Sequence, residues 1–410
     1  MPVLKNISIL YTCKDEGAQH DIHPIKQAAV VWKDNLIEWV GHEAEIPEMY
    51  LSEDVYDAKG QMLIPGLVEC HTHLAFGGWR ADEFEMKALG KPYIEIAKAG
   101  GGILSTMKHT REASPDELTE KCLTHLSEMK KLGITTVECK SGYGLNVEDE
   151  LKLLYVYRTL DALQPLDIIP TFLGAHTYPP EFKENKQRYE ELIINEMIPH
   201  IAEQELARFC DIFVEETAFG LDAARKILTA GKNYGLIPKL HADQLTSGGG
   251  AELAAEMQAA SADHLEYISD TGIQKMKEAN VVAVTLPLAT FYLRQQPAPA
   301  RKMIDAGLDV AVSTDFNPGS APSYHLPLAM SMACVLQYMS PAEVLKGATI
   351  KAAKAIRMHH QCGSIEKGKN ADFALIDAQH VNQWLYHFKP NACTTTWKDG
   401  RIIWNREDGV

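Results

Sequence analysis

No Cys-x-x-Cys pair occurs in the chain, and its eight cysteines lie far apart. That spacing excludes a zinc ribbon and a disulfide framework and fits a reducing compartment, so a cytoplasmic protein is expected. No Gly-x-Ser-x-Gly occurs, which excludes a serine hydrolase of the nucleophile-elbow type. The glycine runs 100–102 and 248–250 are not followed by Lys-Ser or Lys-Thr at P-loop spacing. They suit a mobile loop and a helix start. Positive charge is scarce: 40 Lys and Arg face 55 Asp and Glu, a net charge of −15, so neither nucleic acid nor an anionic membrane is expected as a partner. A local basic pocket stays compatible with that balance. Long apolar runs are lacking too; "VVAVTLPLATFYL" (281–293) is too short and interrupted to span a bilayer. The first twenty residues lack a cationic start followed by an apolar core, so no signal peptide is expected.

The chain has 410 residues, 46% of them hydrophobic, enough for one large domain and a smaller one. Its two ends share a pattern. "VVWKDNLIEWV" (30–40) and "TTWKDGRIIWN" (395–405) each read as two short strands around a tight turn, Asp34-Asn35 and Asp399-Gly400. One small β-sandwich built from residues 1–62 and 359–410 is expected. Between the ends, eight apolar segments finish in polar residues: 67–73, 134–142, 168–176, 210–216, 236–243, 261–266, 281–287 and 309–317. Helical stretches separate them, such as 114–133, with a Ser N-cap, acids in its first turn and a closing glycine. Eight strand–helix repeats predict a (β/α)8 barrel over 63–358. An open doubly wound sheet is the competitor, but no G-x-G-x-x-G follows the first strand.

Active sites of such barrels sit at the C-terminal ends of the strands. Those ends carry His71, His73, Lys140, His176, Glu215, Glu216, His241, Asp243, His264 and Asp315. One imidazole there would be unremarkable; five on one rim each need a polar partner when buried. His71 and His73 are two apart, so a strand points both to one side. With His241 from the fifth strand and Asp315 from the eighth, they form a set suited to zinc or iron, leaving a place for water. Lys140 reads as a rim lysine paired with an acid or with substrate rather than a bridge between two metals. Glu215 and Glu216 point to opposite sides, and both are left out of the site.

"PGLVECHTHLAFGG" (65–78), "GAH" (174–176), "HADQ" (241–244), "SADH" (261–264) and "STDFNPGS" (313–320) resemble the amidohydrolase superfamily. "GGGILSTMKHTREAS" (100–114) and "KSGYGL" (140–145) narrow the resemblance to its cyclic-amide hydrolases of histidine degradation, and "GSIEKGKNADFALID" (363–377) resembles the return into the small β domain. The resemblance implies one Zn2+ or Fe3+ per subunit on His71, His73, His241 and Asp315. It implies that substrate is held by Arg80, Tyr143, His176, Asn317, Gly319 and Ser320. The implied substrate, 4-imidazolone-5-propanoate, has a flat ring and a carboxylate tail, and the product is N-formimidoyl-L-glutamate.

Arg80 suits the tail, while Tyr143 and His176 are expected to donate hydrogen bonds to it or to the ring. Asp315 takes a proton from the metal-activated water and passes it to the leaving nitrogen, and His264 hydrogen-bonds the water or the oxyanion. Gln244 stands where some relatives carry glutamate; an amide orients rather than abstracts. Barrels of this kind commonly pair, so a homodimer is expected. Two other readings remain at this point: another amidohydrolase, such as a heterocycle deaminase, or a barrel kept as a non-catalytic module.

Overall fold

The computed structural model describes residues 1–50, 54–91 and 101–407. Five strands come first: β1 (Val3–Tyr11), β2 (Pro24–Lys33), β3 (Leu36–His42), β4 (Val55–Asp57) and β5 (Met62–Pro65). Eight follow between residues 67 and 312: β6 (Leu67–Thr72), β7 (Ile134–Lys140), β8 (Asp167–Ala175), β9 (Phe209–Val214), β10 (Ile237–Ala242), β11 (Ser261–His264), β12 (Val282–Thr285) and β13 (Val310–Val312). The chain ends with β14 (Phe373–Ile376), β15 (Cys393–Lys398) and β16 (Arg401–Asn405). Of the glycine run 100–102, to which a mobile loop was assigned, Gly100 lies outside the described residues. Among the described residues no helix is long and apolar enough to cross a membrane.

β6 to β13 form one parallel sheet in sequence order, each strand from one of the eight expected segments. Helices separate them, and the one at Pro115–Lys131 opens with a capping box between Ser114 and Glu117. Such a box satisfies two otherwise orphaned backbone donors. β13 stops short of pairing with β6. The barrel closes beyond it: the His73 amide donates to the Phe316 carbonyl at 2.8 Å and the Asp315 amide to the His71 carbonyl at 3.2 Å. The seam is thus stitched by residues of the predicted metal set. At the opposite end of the eighth strand, the Gln19 side-chain amide stands in for a strand neighbour. Its nitrogen donates to the Val310 carbonyl and its oxygen accepts from the Val310 amide.

The remaining strands form a second sheet, ordered β16-β15-β14-β5-β1-β2-β3, with β4 beside β1. β5 pairs only here, with β1 and β14, so the expected boundary at 62/63 cuts a strand and falls instead after Pro65. Trp32 of β2 lies 5.7 Å from Phe373 of β14, although β1 and β5 separate them in the sheet. The sheet therefore folds over on itself, with Leu4, Val30, Trp32, Phe373 and Trp397 among the residues between its halves. Both expected hairpins form. Asp399 and Gly400 take φ of 51° and 74°, as a tight hairpin turn requires. The Trp32 indole donates to the Gly400 carbonyl, and a Cβ on Gly400 would lie 2.6 Å from that ring. Only glycine suits this meeting of the two ends.

Lys398 joins the sheet to the barrel. Its ammonium is buried 3.3 Å from Asp167 at the start of β8, 3.3 Å from Asp372 and 3.0 Å from Asp399. Removing one member of a buried ion cluster leaves uncompensated charge. Lys398→Met is therefore expected to cost about 3 kcal/mol and to lower the midpoint of thermal unfolding. An unchanged midpoint would show that the joint is held elsewhere.

Candidate metal centre

His71 and His73 come from the end of β6, His241 from β10, and Asp315 from the turn after β13. All four are buried. Asp315 takes a φ of +59°, a conformation Asp tolerates better than most residues, and this aims its carboxylate into the mouth. Its Oδ1 lies 3.4 Å from His71 Nε2 and 3.6 Å from His73 Nε2, and His73 Nε2 lies 3.4 Å from His241 Nε2.

The hydrogen bonds behind the rings define what these nitrogens offer. His71 Nδ1 donates to Asp263 Oδ2 at 2.6 Å and His241 Nδ1 to Asp211 at 3.2 Å. A proton on each Nδ1 leaves each Nε2 with a lone pair. The buried His71 Nε2 has no hydrogen-bond partner among the described residues. It faces the Asp315 oxygen, so two electron-rich atoms confront each other. A cation between them removes the conflict. Ligand atoms about 2.1 Å from one tetrahedral ion stand about 3.4 Å apart, close to the separations found. His71, His73 and Asp315 can hold a metal ion, and so can the overlapping set His71, His241 and His264.

Below the ligands the barrel interior is ionic rather than apolar. Lys140, expected as a rim lysine, is fully buried; its Nζ lies 2.7 Å from Glu138, 2.8 Å from Asp211 and 3.7 Å from Asp263. One ammonium thus holds the two carboxylates that orient His71 and His241. Lys239 lies 3.6 Å from Asp263. Glu69 accepts from the Ser313 hydroxyl and the Thr314 amide, and burial pushes its carboxyl up to about 8.

Sequence reasoning missed Asp211, Asp263 and Lys239. Two-residue alternation was an available signal for Lys239, which lies under His241 as Glu69 lies under His71 and Glu138 under Lys140; Asp211 and Asp263 carry no such signal.

Above the ligands lies a cavity of about 210 Å3 lined by Arg80, Tyr143, His176, Gln244, His264, Asn317, Gly319 and Ser320, with His73, His241 and Asp315 at its base. Each substrate residue named from the sequence borders it. So do Lys87, Phe213 and Leu293, which were not named. Burial pushes His71, His73 and His264 well below the ordinary imidazole range and His176 down to about 3. Burial raises the Tyr143 phenol and the Asp315 carboxyl. The rings are therefore neutral near pH 7, and Tyr143 keeps its proton.

Two expectations change. His176 Nδ1 lies 3.0 Å from the Gly142 carbonyl oxygen, which can only accept, so Nδ1 carries the proton. His176 Nε2 then presents a lone pair to the cavity and accepts rather than donates. The Asn317 side chain is consumed by its own turn: it donates to Asp315 O and Ser320 Oγ, and accepts from the Gly319 and Ser320 amides. It shapes the loop that presents Ser320, whose Oγ stands 3.4 Å from Asp315 Oδ2.

Other rim residues are structural. Glu215 accepts from the Leu245 and Thr246 amides, and Glu216 is exposed. Asp243 caps the helix at Gly250–Glu256 through the Gly248, Gly250 and Ala251 amides. His264 and Leu265 take φ of +79° and +69°, consecutive strained residues of a kind that clusters at functional sites. The His264 Nδ1 faces Glu266 Oε2 at 3.9 Å.

Asp263→Asn removes the charge that fixes the His71 tautomer. Loss of such an outer partner typically weakens metal binding about 10- to 100-fold. Chelator competition is expected to show zinc affinity falling by that factor; an unchanged affinity would remove Asp263 from the centre.

Residues 62–403 match the amidohydrolase family. An imidazolonepropionase from Fusobacterium nucleatum is 48% identical over 379 residues, covering 92% of this chain and 91% of the relative. One from Porphyromonas gingivalis is 45% identical over 409 residues, covering 98% and 97%. Among solved structures, a 5-methylcytosine deaminase from Klebsiella pneumoniae superposes with a TM-score of 0.73 over 98% of each chain at 15% identity, a likeness of fold alone. The chain belongs to the amidohydrolase family and, within it, to the imidazolonepropionases.

Proposed function

We propose that this centre hydrolyses the cyclic amide of 4-imidazolone-5-propanoate to N-formimidoyl-L-glutamate. One observation carries the reading. A single cavity has His73, His241 and Asp315 at its base, with His71 Nε2 3.4 Å from Asp315 behind them, and Arg80 in its wall. That polarity suits a short molecule with a reacting carbonyl at one end and a carboxylate at the other. The family match supports the same reaction.

An ion held by His71, His73, His241 and Asp315 supplies Lewis acidity, lowering the pKa of a water molecule to about 7. The same ligands suit Zn2+ and Fe3+.

The residues divide the remaining work. Asp315 uses its two oxygens differently: Oδ1 faces the histidine nitrogens, while Oδ2 lies toward Ser320 Oγ. Oδ2 is the one placed to take the water proton and return it to the ring nitrogen as the carbon–nitrogen bond breaks. The water oxygen ends on the carbonyl carbon, which becomes the new carboxylate, and the leaving nitrogen carries the proton.

His264, a neutral ring beside His241, is placed to hydrogen-bond the oxygen that gains charge. His176 Nε2 accepts a ring N–H, and the Tyr143 hydroxyl donates to an oxygen of the ligand. Gln244 reaches the cavity without a hydrogen-bond partner among the described residues and orients the ring through its amide. Glu83 holds Arg80 through Nε at 2.9 Å and Nη2 at 2.7 Å, so the tail meets the Nη1 side.

The test is loss of the ring's ultraviolet absorbance on incubating metal-loaded protein with 4-imidazolone-5-propanoate. Arg80→Ala is expected to raise KM at least 10-fold with metal content unchanged; a charge-assisted hydrogen bond is worth about 1.5–3 kcal/mol. Absence of turnover by the loaded parent would overturn the reading, and equal KM in the variant would remove Arg80 from it.

A further inference from the structure

Arg80, Glu83 and Lys87 lie three and four residues apart, along one face of the helix Ala81–Ala88 and the residue that precedes it. That face borders the cavity, which Arg80 and Lys87 both line. Glu83 is buried and grips Arg80 with both carboxylate oxygens while also accepting from the Gly102 amide. The charge of Arg80 is thus already balanced.

Lys87 is in a different position. Its Nζ donates to the Gly319 carbonyl at 3.1 Å and sits 5.0 Å from the centre of the Tyr292 ring. Among the described residues it meets no carboxylate. Gly319 is also where Arg80 arrives: a Cβ on that residue would overlap Arg80 Nη1. The two cations therefore converge on one peptide, four residues after Asp315. Half-burial and the neighbouring guanidinium depress the Lys87 ammonium, as expected where like charge is held away from water.

We propose that Lys87 is a substrate-binding residue that makes the site selective for an anionic tail, its Nζ and Arg80 Nη1 together forming the carboxylate subsite. The proposal rests on the function given above and deepens it. The triplet Arg80, Glu83 and Lys87 carries one surplus positive charge, and the tail carries one negative charge. Arg80 supplies geometry, and Lys87 supplies the charge that Arg80 has already given to Glu83. The Nζ holds its position through a neutral carbonyl and a ring face, which leaves donors for a ligand oxygen.

A plain structural latch between the helix and the 315–320 turn would use the same bond to Gly319, so the test separates the two roles. Lys87→Met and Lys87→Arg are compared with the parent on the propanoate substrate and on its neutral carboxamide analogue, with metal content measured on each preparation. Lys87→Met is expected to raise KM for the propanoate about 10- to 100-fold, with kcat changed far less. Its metal content should match the parent, and its kcat/KM on the carboxamide should be the same. Lys87→Arg should recover most of the lost affinity. Unchanged KM for the propanoate in Lys87→Met would overturn the proposal. An equal loss on both substrates would also overturn it, by showing a latch. A parent that turns over neither compound would mark failure of the functional reading instead.

Discussion

The active centre depends on a seam. β13 is too short to pair with β6, so the barrel closes through two backbone hydrogen bonds from the segment carrying His71 and His73 to the segment carrying Asp315 and Phe316. The hydrogen bonds that close the sheet therefore also bring three candidate ligands together. The positive φ at Asp315 belongs to the same turn, and the Asn317 side chain locks that turn from the other side. Ligand geometry is set by main chain before any ion arrives, which is what a site that must retain an open position needs.

Charge forms the second layer. Parallel barrels usually fill their interior with branched apolar residues, whereas here Glu69, Glu138, Lys140, Asp211, Lys239 and Asp263 occupy it, all buried. Lys140 bridges Asp211 and Asp263, and those carboxylates fix the tautomers of His241 and His71. Ionic interiors contribute little net stability. This one pre-orients the lone pairs of His71 and His241 toward the mouth. Farther out, Arg80 and Lys87 lie around Gly319. The cavity thus runs from clustered imidazoles and a carboxylate at its floor to two cationic side chains in its wall.

The eight strands, their order and the paired terminal hairpins were legible in the sequence, because alternation of apolar segments with helices and turn dipeptides such as Asp399-Gly400 are local signals. The histidines at strand ends were legible for the same reason. Asp211 and Asp263 were passed over. Each sits in a strand with no partner nearby in sequence: the pairing of β9 with β10 brings Asp211 to His241, and only closure of the barrel brings Asp263 of β11 to His71 of β6. Lys140 appeared as an end-of-strand lysine, since its depth depends on how the barrel closes. The boundary after Pro65 was missed because β5 finds its partners in β1 and β14, one upstream and one more than three hundred residues downstream.

Residue types and their spacing decided that this chain makes a barrel with imidazoles and a carboxylate at its mouth, since periodicity and turn chemistry act over a few residues. Tertiary structure alone decided the rest. It made His176 an acceptor by placing Nδ1 on the Gly142 carbonyl. It placed Lys87 beside Gly319. Each of these outcomes depends on which hydrogen-bonding group faces another across the closed fold, and chain spacing does not encode that.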